Sequence, residues 1–267
     1  MNIFFYILMG ILQGLFEWLP ISSEGQLVFI ATSVFDIPEH VAISLAFWLH
    51  LGTLIAVLVV FRSLWKEILT VRNEETIPYQ ILLFYSTLGT AIIGIPLRLF
   101  LYSFIHNSTS KIITLVIGFS LIITGVLLYQ SKKIDGITDI TLMTPKKALL
   151  IGIAQGFSII PGISRSGITI TSLVFLRFNL ETSFKSSFII SVPAVLGAII
   201  LDIFFSILDG NSLFSELSFY GIMVSIFFAS ITGFLTMKYF IKIAQQYNFV
   251  IVTCLLGVFI IAYSLIF

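Results

Sequence analysis

One stretch of the chain, QGFSIIPGISRSG at 155–167, places an arginine between two serines within an otherwise apolar segment. The Pro-Gly pair breaks any helix, and Ser164 or Ser166 can cap the helix that follows. A helix N-terminus offers free N–H donors, and the guanidinium of Arg165 can bind two phosphate oxygens at once. The run through Gly167 therefore predicts an anion site at a helix start. The alternative is that Arg165 is a structural ion-pair partner of Glu17.

A second stretch, QGLFEWLPISSEGQL at 13–27, carries a carboxylate and neighbouring hydroxyls. An ionisable side chain such as Glu17 costs about 2.5–3.5 kcal/mol inside a membrane segment, so it usually faces a cavity and serves function. After the proline, Ser22, Ser23 and Gly25 can form a loop whose hydroxyls and N–H groups point at an anion. The alternatives are that Glu17 is merely solvated near the membrane interface and that Ser22, Ser23 and Gly25 form an ordinary turn.

Together the two stretches predict phosphoryl chemistry. Arg165 would neutralise charge, a serine would attack phosphorus, and Glu17 would act as the base. His50 would orient a phosphate or, alternatively, be a packed core histidine. Neither a metalloprotease motif nor a phosphate-binding loop motif is present, and the acidic residues are too dispersed for a two-metal site.

The composition indicates whether these residues lie in a soluble protein or in a membrane protein. Of 267 residues, 58% are hydrophobic and 10% are charged, against about 25% charged in soluble domains. Apolar runs of about 20 residues recur, each long enough to cross a bilayer. The net charge of +1 argues against a nucleic-acid partner, and the single cysteine, Cys254, excludes an intramolecular disulfide. The sequence predicts an all-α polytopic membrane protein.

Six full spans are predicted along the chain. Their approximate bounds are 41–61, 79–101, 111–129, 186–208, 219–237 and 247–267. Lysine and arginine are enriched in three connections, which the positive-inside rule places in the cytoplasm. These connections are 62–78, 130–147 and 238–246, whereas 209–218 has neither residue and is predicted outside. Arg98 and Lys111 flank another external turn and are the exception to the rule.

Two further stretches, 1–36 and 148–182, are apolar at both ends and broken in the middle by Pro, Gly, Ser and charge. The second is flanked by cytoplasmic segments, so it must enter and leave on the cytoplasmic face as a re-entrant hairpin. The first would be a hairpin entered from outside, with the N-terminus outside. No basic region precedes it, so we expect the first helix to act as its own insertion signal.

The two hairpins resemble each other when shifted by 142 positions, with identities at seven of the sixteen residues 10–25. Three spans separate them, so the second copy must be inverted relative to the first. The prediction is two inverted-topology repeats, each a re-entrant helical hairpin plus three transmembrane helices. Repeat one covers 1–129 and repeat two 148–267, joined by the cytoplasmic linker 130–147 within one membrane domain.

The segments GLFEWLPISSEG, PGISRSGITI, FWLHLGTLIAVLVVF and SSFIISVPAVLGA resemble the undecaprenyl-diphosphatase family, also called the bacitracin-resistance phosphatases. The resemblance covers almost the whole chain. It implies hydrolysis of a polyprenyl diphosphate lipid to the monophosphate on the outer face of the plasma membrane, which recycles the lipid carrier of cell-envelope glycan synthesis. It also implies a divalent cation such as Mg²⁺ or Ca²⁺. A homodimer is left open.

The resemblance assigns roles residue by residue. Glu17 matches the second motif glutamate, Ser23 the candidate nucleophile and Arg165 the essential arginine. Two positions depart from the family pattern: Gln13 stands where the first glutamate is usual, and Gln26 where a histidine is usual. Glu24 stands where the family has a small residue, and it can restore a carboxylate.

The candidate catalytic residues are therefore Glu17, Ser23 and Arg165. The candidate substrate-binding residues are Gln13, Ser22, Gly25, Gln26, His50, Gln155, Ser164, Ser166 and Gly167. No residue is predicted as a metal ligand. The alternative function is a polyprenyl-phosphate transporter or flippase with the same fold and anion site but without hydrolysis, which the inverted repeats and the two glutamines favour.

Overall fold

The computed structural model of the protein describes residues 2–208 and 217–266, and these are almost entirely helical. The helices are α1 (Ile3–Phe16), α2 (Ser23–Phe35), α3 (Glu39–Val60), α4 (Arg62–Thr70), α5 (Ile77–Asn107), α6 (Ser110–Ser131), α7 (Pro145–Gly156), α8 (Arg165–Phe175), α9 (Leu180–Leu208), α10 (Phe219–Gln246) and α11 (Phe249–Ile266). The described part contains one isolated β-bridge, Thr138 to Phe178, and no strand. The predicted external loop 209–218 lies outside the described residues except for its last two positions.

Six of these helices are long and apolar enough to cross a membrane: α3, α5, α6, α9, α10 and α11. They confirm the six predicted spans and the class of polytopic helical membrane protein. Pro96 and Pro193 lie inside α5 and α9, which continue past them. Helix α9 begins at Leu180, earlier than predicted, because the Asn179 side chain accepts a hydrogen bond from the Thr182 N–H and caps the helix there.

Both predicted breaks are present, and each separates two short helices. Helix α1 ends at Phe16, the chain turns, and Ser22 adopts a left-handed conformation (φ 60°) before α2 begins. Between α7 and α8 a short 3₁₀ turn at Phe157–Ile159 leads to Gly162, whose φ of +96° favours glycine. The chain therefore reverses twice within apolar sequence.

Each hairpin is held by a span from the other half of the sequence. Helix α1 packs along α10, where the Ser225 hydroxyl donates to the Tyr6 carbonyl over 2.9 Å. Helix α7 packs along α5 in the same way. At both crossings a glycine permits the close approach, since a Cβ at Gly10 would collide with the Ser225 backbone and one at Gly152 with the Ser86 backbone. Helices α6 and α11 pack against each other, and α3 contacts both α9 and α10.

Arg98 was predicted to flank an external turn, but it lies well inside α5, which runs on to Asn107. Helix α5 runs on past Arg98, whose side chain is buried and whose Nη2 donates to Asp202 Oδ1 of α9 over 3.1 Å. Ser44 of α3 donates to the other carboxylate oxygen over 2.8 Å, and the guanidinium lies 4.8 Å from the centre of the Phe47 ring. An internal ion pair, rather than a loop, therefore accommodates this charge.

Candidate active site

The tips of the two hairpins meet inside the helix bundle. A Cβ on Gly25 of α2 would come within 3.0 Å of the Gly162 Cα in the other loop. Helix α6 supports this second loop, because the Thr124 hydroxyl donates to the Gly162 carbonyl over 3.4 Å and accepts from the Ser164 N–H over 3.2 Å. Close contact of the two backbones brings the predicted carboxylate and the predicted arginine within reach of each other.

Glu17 is the centre of the site. Its buried carboxylate accepts hydrogen bonds at Oε2 from Gln13 Nε2 over 2.9 Å and from the Ser23 hydroxyl over 2.7 Å. At Oε1 it accepts from the guanidinium of Arg165, which joins the first hairpin to the second. The ion pair that the sequence left open as an alternative is therefore formed, and it lies within the predicted anion site.

His50 completes the surroundings of this carboxylate from α3. Its Nδ1 lies 2.6 Å from the Ala46 carbonyl oxygen, which only accepts, so this nitrogen carries the hydrogen. Its Nε2 lies 3.3 Å from Glu17 Oε2. The ring thus faces the site and is not simply a packed core histidine.

The serines of the second hairpin organise the start of α8. Ser164, not Ser166, is the N-cap, and its hydroxyl accepts from the Gly167 N–H over 3.1 Å. The hydroxyl of Ser166 lies 3.2 Å from that of Ser164 and donates to the Leu19 carbonyl over 3.5 Å. Arg165 is the first residue of the helix, so its side chain and the positive end of α8 lie together.

Two adjoining cavities open from these residues. The smaller is called the polar cavity; its polar wall consists of Glu17, Ser22, Ser23, Glu24, His50, Ser158, Ser164, Arg165 and Ser166. The larger is called the apolar chamber; its wall includes Phe47, Gly94, Ile159, Ala194, Val195 and Ala198. Four residues line both: Glu24, His50, Ser158 and Arg165. A charged group and an attached hydrocarbon therefore have adjoining spaces.

The structure separates the predicted site residues into those that line a cavity and those that support it. Gln155 lines the apolar chamber and donates to the Thr90 hydroxyl over 2.9 Å. Four others, Gln13, Gly25, Gln26 and Gly167, line neither cavity. Gln13 holds Glu17, Gln26 donates to the Ile21 carbonyl over 3.3 Å, and the two glycines shape the hairpin tips. Their direct contact with substrate remains a prediction.

Some residues of the site were not predicted. Thr53 lies 3.4 Å from Gln13 Nε2, and its position one turn after His50 on α3 could have indicated it. Ser158 lies in the 3₁₀ turn and Thr90 on α5, and no motif marks either of them. Their roles depend on how helices pack, which spacing within one segment does not show.

The residues present fit a divalent cation only in company with phosphate. Among the described residues no three His, Cys, Asp or Glu side chains are grouped to hold a metal ion. Both oxygens of Glu17 already accept from donors, whereas Oε1 of buried Glu24 has no hydrogen-bond partner. Mg²⁺ is commonly bound through one or two carboxylates plus substrate phosphates, which this arrangement allows.

These features define a multi-pass α-helical membrane protein with a buried polar cavity suited to an anion. The family model described as bacitracin resistance protein BacA matches residues 6–259. The chain therefore belongs to that family.

Curated relatives match over nearly the full length. The chain is 38% identical over 252 residues to the undecaprenyl-diphosphatase of Methanococcoides burtonii, with 91% of each chain covered. It is 39% identical to the undecaprenyl-diphosphatase of Methanothrix thermoacetophila, covering 91% of this chain and 90% of the relative. The undecaprenyl-diphosphatase of Alkaliphilus metalliredigens is 35% identical, with both chains fully covered.

Proposed function

We propose that the protein hydrolyses undecaprenyl diphosphate, or a closely related polyprenyl diphosphate, to the monophosphate and inorganic phosphate. The observation that carries the proposal is the 2.7 Å hydrogen bond from the Ser23 hydroxyl to Glu17, beside Arg165 in the polar cavity. A nucleophile, a base and a phosphate-binding cation are thereby grouped in one space. The names and near-complete coverage of the relatives support the same reaction.

The two cavities suit the two parts of such a lipid. The diphosphate would occupy the polar cavity, bound by Arg165 and by the free N–H groups at the start of α8. The first isoprene units would lie in the apolar chamber against Phe47, Ile159 and Val195. Burial of hydrocarbon there contributes about 25 cal/mol per Å², so the chain would anchor the substrate while the charged groups orient it.

In the proposed mechanism, substrate binding makes Glu17 a stronger base. Arg165 donates to Glu17 before substrate binds, which makes the carboxylate a weaker base. When phosphate oxygens draw the guanidinium away, Glu17 keeps its bonds to Gln13 and Ser23. The Ser23 oxygen then attacks the terminal phosphorus, its proton passes to Glu17, and the bond to the bridging oxygen breaks to release the polyprenyl monophosphate. Water hydrolyses the phosphoserine and frees inorganic phosphate and Ser23.

A divalent cation, when bound, would neutralise phosphate oxygens and assist the leaving group, and Glu24 is the residue placed to hold it. The direct bond between Ser23 and Glu17 favours hydrolysis over transport without hydrolysis. The missing motif histidine at Gln26 is not needed for this route, since Glu17 takes the proton.

We also propose the inverted-topology repeat and the outer-face active site. The reciprocal packing of α1 on α10 and of α7 on α5 supports the repeat, because exchange of two inverted halves would generate such a pair of contacts. The repeats would cover 1–129 and 148–267 with a cytoplasmic linker at 130–147. The charge distribution of the loops supports the orientation.

The orientation can be tested with single cysteines in a Cys254→Ala background. Ile137→Cys, at an exposed position in the linker, should resist an impermeant thiol reagent added to intact cells. Pro38→Cys, at the exposed start of α3, should react. Reaction of Ile137→Cys together with protection of Pro38→Cys would reverse the assignment.

The function itself is tested by phosphate release from farnesyl and undecaprenyl diphosphate by the purified protein. Wild-type protein and an Arg72→Ala control, changed at an exposed cytoplasmic position, should release phosphate at similar rates. Arg165→Ala should release at least about 10³-fold less, since a lost transition-state donor alone costs 10²–10³-fold. Wild-type release no greater than that of Arg165→Ala would refute the enzyme assignment.

A further inference from the structure

Glu24 is a buried carboxylate that the proposed hydrolysis does not use as base, nucleophile or phosphate contact. It is 9% exposed, it lies in the first turn of α2, and it lines both the polar cavity and the apolar chamber. Its Oε1 has no hydrogen-bond partner. A buried carboxylate oxygen without a partner is costly, so a ligand that enters the cavity must complete it.

The position of Glu24 on α2 does not account for this oxygen. The N-terminus of a helix favours a negative charge nearby. This effect stabilises the charge of the carboxylate but supplies no hydrogen-bond donor to Oε1. The Arg98 guanidinium of α5 also attracts the carboxylate, yet neither Arg98 nor His50 donates to Oε1.

A count of charges around the cavities indicates which kind of ligand suits them. When Glu24 is ionised, the carboxylates of Glu17, Glu24 and Asp202 exceed the guanidiniums of Arg165 and Arg98 by one negative charge. A diphosphate brings several more negative charges into the same space. Like charges this close together repel each other strongly inside a protein, where the effective dielectric constant is low. A divalent cation that enters with the diphosphate would offset two of these negative charges.

Resting on the proposed function, we propose that Glu24 is the protein ligand for a divalent cation, Mg²⁺ or Ca²⁺, which binds together with the diphosphate oxygens. Both cations prefer oxygen ligands, and Mg²⁺ readily takes one carboxylate, substrate phosphates and waters. Glu17 is the poorer ligand because Gln13, Ser23 and Arg165 already donate to it. In this proposal the negative charge of Glu24 is what holds the cation in the site.

The proposal predicts opposite effects of one substitution. Glu24→Gln keeps the size of the side chain and removes its charge. It should weaken the enhancement of diphosphate binding by Mg²⁺, because the ligand is lost. It should also tighten diphosphate binding in the absence of cation, because one repulsive charge is gone. A purely structural role for Glu24 would weaken binding under both conditions.

The experiment is calorimetric titration of the purified full-length protein with farnesyl methylenediphosphonate, which is not hydrolysed, in EDTA and in excess Mg²⁺. We expect Mg²⁺ to tighten binding to wild-type protein at least about tenfold, a difference of 1.4 kcal/mol. The enhancement should fall below about threefold in Glu24→Gln, whose affinity in EDTA should exceed that of the wild type. Glu181→Gln, which removes an exposed carboxylate at the start of α9, is the matched control and should behave as wild type.

Equal Mg²⁺ enhancement in Glu24→Gln and wild type would overturn the proposal while leaving the hydrolase assignment intact. Absence of binding to the wild type under both conditions, together with absence of phosphate release, would overturn both. Should Glu24→Gln elute as aggregate in size-exclusion chromatography, Glu24→Asp provides the test. Its carboxylate should retain Mg²⁺ enhancement, and loss of enhancement in a folded Glu24→Asp protein would count against the assignment.

Discussion

In both hairpins a serine caps the second helix in the same way, but the side chain that follows the serine differs. In the first, the Ser22 hydroxyl accepts from the Gly25 N–H over 3.3 Å; in the second, Ser164 accepts from Gly167 over 3.1 Å. Immediately after each capping serine the hairpins differ, with Ser23 in the first and Arg165 in the second. The shared residues build the loop, and the residues that differ are those we propose as the reactive groups.

The backbones reach this shared cap by different routes. In the first hairpin the capping residue itself is left-handed, since Ser22 has a φ of 60°. In the second, Ser164 has an ordinary extended conformation and Gly162 adopts the positive φ two residues earlier. The comparison teaches that the capped helix start is the common element, while the preceding turn is free to vary.

Ser23→Ala should have the largest effect and should separate the first hairpin from the second. Loss of a nucleophile lowers kcat by about 10⁴-fold or more. The matched control is Ser166→Ala, which removes a hydroxyl in the same cavity from the other hairpin. The control should retain activity within about tenfold, because a single neutral hydrogen bond contributes about 0.5–1.5 kcal/mol. Phosphate release under saturating farnesyl diphosphate measures both, and equal losses would remove the distinction between the hairpins.

Glu17→Gln should have the next largest effect. General-base catalysis contributes about 10²–10⁴-fold, and the amide cannot take the Ser23 proton. Because the substitution also frees Arg165 from its ion pair, KM should not rise. Steady-state kinetics give both constants. A kcat within tenfold of wild type would show that Glu17 is only the structural partner of Arg165.

Gly162→Ala tests how closely the tip of the second hairpin packs against α6. Its φ of +96° disfavours any side chain, and a Cβ would collide with the Ile117 backbone of α6. We expect unfolding free energy to fall by about 1–3 kcal/mol, measured as a lower Tm in detergent. Gly197→Ala in α9 is the control, since a Cβ there meets nothing within 4 Å. A Tm equal to that of the control would contradict the close packing of this tip on α6.

Ser164→Ala should have the smallest effect and should act on stability rather than chemistry. Loss of an N-cap costs about 1 kcal/mol, and the main-chain anion site at the start of α8 remains. Activity should stay within about tenfold while Tm falls. Loss of activity with an unchanged Tm would indicate that the reactive hydroxyl belongs to the second hairpin and not to the first.

The sequence predicted the spans and breaks because both depend on local composition. Apolar runs of membrane length predicted α3, α5, α6, α9, α10 and α11, and prolines and glycines predicted the two hairpins. The same local rules placed Arg98 beside an external turn, whereas it lies inside α5 and pairs with Asp202, 104 residues away on another helix. A charged residue near the end of a predicted span therefore indicates a nearby loop only when no other helix supplies an oppositely charged partner for it.

Within the site, the sequence indicated the residue types but not their contacts. The bond between Glu17 and Ser23 spans six positions across a turn, and that between Glu17 and Arg165 spans 148. The neighbours of Gln155 and the wall position of Ser158 depend on how α5 and α7 pack. Packing of distant helices is set by side-chain fit along whole surfaces, which a short motif does not encode.

The most direct test of Ser23 as the nucleophile is a rapid acid quench during turnover of farnesyl diphosphate with a radiolabelled terminal phosphate. We expect label to become covalently attached to the wild-type protein and to map by peptide analysis to Ser23. Ser23→Ala should carry no label and release no phosphate above the Arg165→Ala background. Phosphate release by Ser23→Ala at the wild-type rate, or label on a residue of the second hairpin, would contradict this role of Ser23.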